Sequence, residues 1–186
     1  FVVRYLTNGS LDTTFSGDGI ALNDFSTGFE PTLGLAIDHI SGVITTNGDN
    51  NVTNAMLIVR YLSNGNLDNS FSGDGKLEIA GQVDGGIEVL HQSDRKIICS
   101  GTTAGGDATD DVVLLRVNVD GTIDATFGSN GIVNLNDNGG GTERNMALVG
   151  DKLIIGNNAL SITDFGVERI NLSPTPTETG DFDGDG

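Results

Sequence analysis

The chain contains no tryptophan, three prolines and one cysteine among its 186 residues. The single cysteine, Cys99, excludes an intramolecular disulfide, and its apolar neighbours predict a buried side chain. No apolar run approaches the ~20 residues of a membrane-spanning helix, so we expect no membrane span. Basic residues are scarce, with 9 Lys and Arg against 26 Asp and Glu. The net charge of −17 argues against nucleic acid as a partner, because a phosphate backbone requires a basic face.

Glycine is abundant, at 28 residues, and it occurs together with many Val, Ile, Thr and Asn residues. This composition favours short strands joined by tight turns. No segment of useful length has the 3.6-residue periodicity of an amphipathic helix. The sequence therefore predicts an all-β protein.

One glycine-rich motif occurs three times, at residues 8–19, 64–75 and 120–131, so that both steps are 56 residues. A fixed period of this length is typical of an array of equivalent units. In the second copy, four candidate strands are Met56–Leu62, Lys76–Ile79, Gly86–His91 and Lys96–Ser100. Four short strands per period predict a β-propeller-type array of four-stranded antiparallel blades. A β-solenoid is the alternative, although solenoid repeats are usually shorter.

The repeat predicts three full blades and a partial fourth within residues 1–172. The predicted unit boundaries are about 1–55, 56–111, 112–164 and a partial unit at 165–172. Residues 173–180 alternate Pro and Thr, which indicates an extended linker. Both ends of the chain fall inside apparent motifs, so we expect it to be a piece of a longer protein. If the chain is complete, its open sheet edges predict self-association.

An arginine, an aspartate eight residues later and a phenylalanine recur in each copy. These residues are Arg4, Asp12 and Phe15; Arg60, Asp68 and Phe71; and Arg116, Asp124 and Phe127. We expect each Arg and Asp to form an ion pair that ties the loop to the first strand, and each Phe to fill the core between blades. The alternative is a ring of arginines that lines a ligand funnel.

These motifs resemble the delta-60 repeat, a bacterial extracellular β-propeller repeat family. The matching segments are Leu11-Asp-Thr-Thr-Phe15, Leu67-Asp-Asn-Ser-Phe71 and Ile123-Asp-Ala-Thr-Phe127. The resemblance weakens after Arg169, where Asn171-Leu-Ser-Pro174 replaces the expected Gly-Ser-Leu-Asp. It implies a propeller architecture and an extracellular or cell-surface location. It implies no catalytic and no cofactor-binding residue.

The last six residues, Asp181-Phe-Asp-Gly-Asp-Gly186, resemble the opening of an FG-GAP or dockerin-type calcium repeat. Alternating carboxylates are suitable calcium ligands, which makes Asp181, Asp183 and Asp185 the candidate metal residues and Ca²⁺ the one candidate cofactor. The later ligands of such a loop are missing. A flexible acidic tail is the alternative interpretation.

The sequence therefore predicts a non-enzymatic extracellular module with a structural or adhesive role. Its expected partners are other protein subunits, surface proteins or glycans. The alternative is a carbohydrate-active enzyme that uses two carboxylates in a central funnel. The two histidines, His39 and His91, are interpreted as turn or surface residues at similar hairpin positions rather than as metal ligands.

Overall fold

The computed structural model describes residues 1–25, 31–103, 111–135, 145–159 and 164–172, without the side chains of 157–159 and 164–168. These residues form strands and turns and no helix, so the all-β prediction is confirmed. The described part of the chain accordingly has no helix long and apolar enough to cross a membrane. The strands are β1 (Val2–Val3), β2 (Ile20–Ala21), β3 (Thr32–Ile37), β4 (Ile44–Asn50), β5 (Ala55–Tyr61), β6 (Lys76–Ala80), β7 (Val83–His91), β8 (Ile97–Thr103), β9 (Val112–Val117), β10 (Ile132–Asn134), β11 (Asn145–Val149), β12 (Lys152–Ala159) and β13 (Asp164–Asn171).

The strands form four antiparallel sheets in chain order. Sheet 1 is β1–β2, sheet 2 is β3–β4–β5–β6, sheet 3 is β7–β8–β9–β10 and sheet 4 is β11–β12–β13. The first strand of sheet 2 lies against the first strand of sheet 3, which in turn contacts the first strand of sheet 4. This arrangement is that of propeller blades, whose innermost strands adjoin. The predicted β-propeller-type architecture is therefore confirmed.

The sequence repeat is offset from the sheets by two strands. The arginine-containing strands β5, β9 and β13 are each the third strand of their sheet. The four strands predicted for the second copy therefore divide between two sheets: β5 and β6 belong to sheet 2, and β7 and β8 belong to sheet 3. One 56-residue period runs from the third strand of one sheet to the second strand of the next.

The hydrophobic core lies between neighbouring sheets. Every side chain of β5 and of β9 is buried, because both faces of these strands are covered by an adjacent sheet. Three clusters of buried side chains follow one another along the array. The repeated phenylalanines Phe15, Phe71 and Phe127 each lie in a different one of these clusters and are 0%, 0% and 5% exposed.

The glycine-rich loops close tightly on the strand that precedes them. Gly75 has φ +87°, and a Cβ at this position would lie 3.0 Å from the Cβ of Leu67. The Gly75 carbonyl accepts a hydrogen bond from the Arg60 N–H at 2.8 Å. A residue with a side chain would be strained there, both by the left-handed backbone and by the close contact. The glycine thus holds the loop against the arginine-containing strand.

Candidate functional site at the arginine clasps

Each repeat contains one compact polar cluster, which we name an arginine clasp. Clasp 1 is Arg4, Asp12, Thr14 and Phe15; clasp 2 is Arg60, Asp68, Ser70 and Phe71; clasp 3 is Arg116, Asp124, Thr126 and Phe127. In clasp 2, Arg60 Nε donates to Asp68 Oδ2 at 2.9 Å and Nη2 donates to Ser70 Oγ at 3.2 Å. The Arg60 guanidinium carbon lies 4.5 Å from the centre of the Phe71 ring. The structure thus brings together the three residue types that the sequence singled out.

The aspartate of each clasp also holds its own loop. Asp68 Oδ1 accepts from the Ser70 backbone N–H at 3.0 Å and from Ser70 Oγ at 2.6 Å. Burial opposes ionisation of Asp68, but the two bonds from Ser70 and the charge of Arg60 outweigh it, so the Asp68 pKa lies below its ordinary value. The carboxylate is therefore ionised at neutral pH.

The third donor of each arginine reaches into the next repeat. Arg4 Nη1 donates to the Ser63 carbonyl, and Arg60 Nη1 donates to the Val119 carbonyl. Arg116 Nη1 donates to the Leu172 carbonyl at 2.6 Å. A clasp therefore joins a strand, a loop and the neighbouring repeat. The sequence predicted the first two of these links and missed the third, because a backbone carbonyl acceptor has no residue type of its own.

The clasp arginines differ in exposure along the array. The Arg60 and Arg116 side chains are 6% and 5% exposed, whereas the Arg4 side chain is 34% exposed. Burial lowers the Arg60 pKa, against the opposing charge of Asp68. Two of the three guanidinium groups are thus enclosed and fully engaged, which does not fit a ring of arginines that faces a ligand. Arg169, in the degraded fourth copy, is exposed.

Clasp 3 contains an additional cation that the sequence did not indicate. Lys96 Nζ donates to Asp124 Oδ2 at 2.8 Å, the same oxygen that accepts from Arg116 Nε at 2.8 Å. Burial works against ionisation of Asp124, but the bonds from Lys96 and Thr126 and the charge of Arg116 hold its pKa well below the ordinary range. Lys96 immediately precedes β8, in the β7–β8 hairpin and outside the glycine-rich motif. A sequence comparison of the hairpins of successive repeats would have identified this lysine.

A cleft of about 140 Å³ lies beside clasp 2, at the end of sheet 2 that faces the β7–β8 turn. Its walls include Asp38, Val43, Asp68, His91 and Arg95. Asp38 accepts from Ser41 Oγ at 2.5 Å and from the Ile40 N–H at 3.0 Å, and these bonds outweigh burial and lower its pKa. Neither ring nitrogen of His91 has a hydrogen-bond partner within the described residues.

His91 and His39 do not occupy similar positions. His91 ends β7 and pairs with Ile97, as Ile37 pairs with Ile44 in the preceding hairpin, whereas His39 lies in a turn. Burial lowers the His91 pKa, so the imidazole is neutral at pH 7. Among the described residues, no group of three His, Cys, Asp or Glu side chains could hold a metal ion. The candidate calcium residues Asp181, Asp183 and Asp185 lie outside the described residues.

Two further carboxyl groups, on β4 and β7, have raised pKa values. Burial raises the Asp49 pKa, and the nearby charge of Asp84 raises it further. Burial also raises the pKa of Glu88, which accepts a hydrogen bond from the Met146 N–H. These groups are the described carboxyls whose environment favours the protonated form, a property that a general acid requires.

A family model described as "Domain of unknown function (DUF5122) beta-propeller" matches residues 1–15, 42–71 and 92–127. The chain is similar to this family. The three matched segments contain clasps 1, 2 and 3 complete, together with the second strands of two hairpins. The match supports the resemblance to a β-propeller repeat family and does not extend to the calcium-type motif at 181–186. No curated protein matches the chain.

Proposed function

We propose that the chain is a non-enzymatic structural and adhesive β-propeller module of an extracellular protein, which acts through contacts with proteins or glycans. The observation that carries the proposal is the recurrence of one clasp, with the same bonds, in three successive repeats. Contacts that recur in this way hold the array together, and such an array presents equivalent loops to a partner.

Sedimentation velocity over a range of protein concentrations, together with a glycan-binding panel, tests the proposal. We expect self-association or binding of at least one glycan. High salt should strengthen self-association, because salt screens the repulsion between chains of net charge −17. A chain that stays monomeric at all concentrations and binds no member of a glycan panel would refute the proposal.

One observation favours the alternative of a carbohydrate-active enzyme. Among the described aspartates, Asp49 has a raised pKa, and a second carboxylate, Asp84, lies near it. Glycoside hydrolysis requires such a pair with different protonation states. Release of reducing sugar from any glycan that the chain binds would support the enzyme, provided that Asp49→Asn abolishes the release. Binding without release supports the adhesive module.

Calcium at Asp181, Asp183 and Asp185 is a separate proposal that rests on the sequence motif alone. Thermal unfolding with calcium and with a chelator tests it directly. A higher Tm in calcium, lost in a variant with all three aspartates changed to asparagine, would support a metal-dependent role. An unchanged Tm would show that calcium does not stabilise this chain.

A further inference from the structure

Clasps 2 and 3 have the same hydrogen bonds at every atom but one. In both, Oδ1 of the aspartate accepts from the backbone N–H and the hydroxyl of the residue two positions on. Asp124 Oδ2 accepts from Arg116 Nε and from Lys96 Nζ. Within the described residues, Asp68 Oδ2 accepts from Arg60 Nε and from no second donor. Clasp 2 thus lacks one cation that clasp 3 has.

The strand register explains the missing cation. Ile44 pairs with Tyr61, Ile97 pairs with Val117, and Leu153 pairs with Ile170. Ile44, Ile97 and Leu153 are therefore equivalent positions. The residues immediately before them are also equivalent, and these are Val43, Lys96 and Lys152. Valine stands in sheet 2 where sheets 3 and 4 have lysine. The Val43 side chain is short and uncharged, so it supplies no cation to Asp68. It lines the cleft of about 140 Å³.

We propose that this cleft binds a primary ammonium group, which takes at Asp68 the place that Lys96 Nζ has at Asp124. The ammonium group would belong to a lysine side chain of a partner protein or to an amino sugar. The inference rests on the proposed binding role and names the chemistry that one of its sites recognises. The chain itself provides the template, because an ammonium nitrogen already lies 2.8 Å from the equivalent carboxylate oxygen.

The other walls of the cleft suit an ammonium group. Asp38 supplies a second carboxylate, buried to 8% exposure, in the position that Gln92 has in the next hairpin. A neutral His91 has one ring nitrogen that can accept a hydrogen bond, and no described residue donates to it. An ammonium group has three donors for these acceptors. Its desolvation is therefore offset by several charged or polar partners rather than by one.

Two arginines line the cleft. Arg60 is bound to Asp68 as Arg116 is bound to Asp124, where an ammonium group is nevertheless present. Arg95, which is exposed and has no equivalent partner in the clasp, opposes cation binding. We therefore expect weak affinity, in the millimolar range, for a small free amine. Arg95→Ala should tighten binding several-fold, because it removes the repulsion without changing the carboxylates.

Two reciprocal substitutions test the site. Val43→Lys should reproduce clasp 3, raise Tm by roughly 2–4 °C if the new pair is worth about 1 kcal/mol, and abolish the response to methylammonium chloride. Lys96→Val should lower Tm and leave Asp124 Oδ2 without its second donor, beside the cleft of about 270 Å³ that Lys96, Arg116 and Thr126 line. Methylammonium chloride, compared with sodium chloride at equal ionic strength, should then restore part of the lost Tm. Circular dichroism spectra establish that both variants are folded.

Paired ligands distinguish the two sources of the ammonium group. Nα-acetyl-lysine-N-methylamide is compared with its norleucine analogue, and glucosamine with N-acetylglucosamine, by chemical-shift changes at residues that line the cleft. Binding of the charged member of either pair, lost in Val43→Lys, supports the inference and assigns the source. Binding that persists in Val43→Lys, or an equal response to sodium chloride, overturns it. A chain that self-associates or binds neutral glycans but ignores ammonium would overturn this inference alone.

Discussion

Removal of the clasp aspartate should destabilise the protein in proportion to the burial of its arginine. Asp68→Ala leaves Arg60, whose side chain is 6% exposed, without its counterion. Asp12→Ala makes the same chemical change in clasp 1, where the Arg4 side chain is 34% exposed. The two variants thus compare one interaction in an enclosed and in a hydrated setting, within the same motif and the same chain.

The magnitude follows from the desolvation of the arginine. A buried cation that loses its partner typically costs about 3–5 kcal/mol. Because a domain of this size has a total stability of about 5–15 kcal/mol, Asp68→Ala should remove a large part of it. Arg4 can replace its lost partner with water, so the cost of Asp12→Ala should be clearly smaller. Asp68→Asn retains the acceptor for the Ser70 N–H and isolates the effect of charge.

Urea unfolding at pH 7, followed by circular dichroism, measures these differences. The expected order of destabilisation is Asp68→Ala, then Asp68→Asn, then Asp12→Ala, with the m-value unchanged. Equal losses for Asp12→Ala and Asp68→Ala would show that the aspartate acts only through its loop and not through the arginine. No loss in any variant would refute the structural role of the clasp.

Three further predictions concern pH. Asp49→Asn should raise the free energy of unfolding at pH 7, because burial and the charge of Asp84 both disfavour the ionised Asp49 carboxylate in the folded state. The gain should vanish near pH 3, and urea titrations at both pH values measure it. The protein should lose stability as pH falls through about 6.5, because burial lowers the His91 pKa and the imidazole of the unfolded chain takes up a proton first. In thermal melts from about pH 7.5 to 5.5, His91→Leu should remove this dependence of Tm on pH. The lowered pKa values of Asp68 and Asp124 stabilise the fold above about pH 4 and cease to do so as pH falls further, so the double Asp→Asn variant should show a shallower acid transition than the natural chain.

The repeat predicted the fold and the clasps because both depend on local chain geometry. An arginine and an aspartate eight residues apart, separated by an Asn/Asp-Gly turn, meet whenever that turn closes. The backbone bond from the Asp68 N–H to the Arg60 carbonyl, at 2.9 Å, is the result of that closure. The same bond joins Asp12 to Arg4 and Asp124 to Arg116, each at 2.9 Å. A pattern that repeats without insertions carries this information in full.

The phase of the sheets and the links between repeats could not be predicted in the same way. A periodic sequence has no origin, so the 56-residue period is equally consistent with a sheet that starts at any of its four strands. The bond from Arg60 to the Val119 carbonyl spans 59 residues, and its acceptor belongs to the backbone. The different exposure of Arg4 and Arg60 depends on the neighbouring repeat rather than on the motif itself.

Positions that depart from the repeat are the best guide to function in an array of this kind. Residues that recur in every unit, such as Arg60 and Asp68, are accounted for by contacts that recur in every unit. Val43 of sheet 2 stands where sheet 3 has Lys96, and His91 of sheet 3 stands where sheet 2 has Ile37. Both nevertheless line one cleft. The ammonium site proposed above accounts for both departures, because it uses a carboxylate oxygen that has no second donor within the described residues and gives the His91 ring a donor.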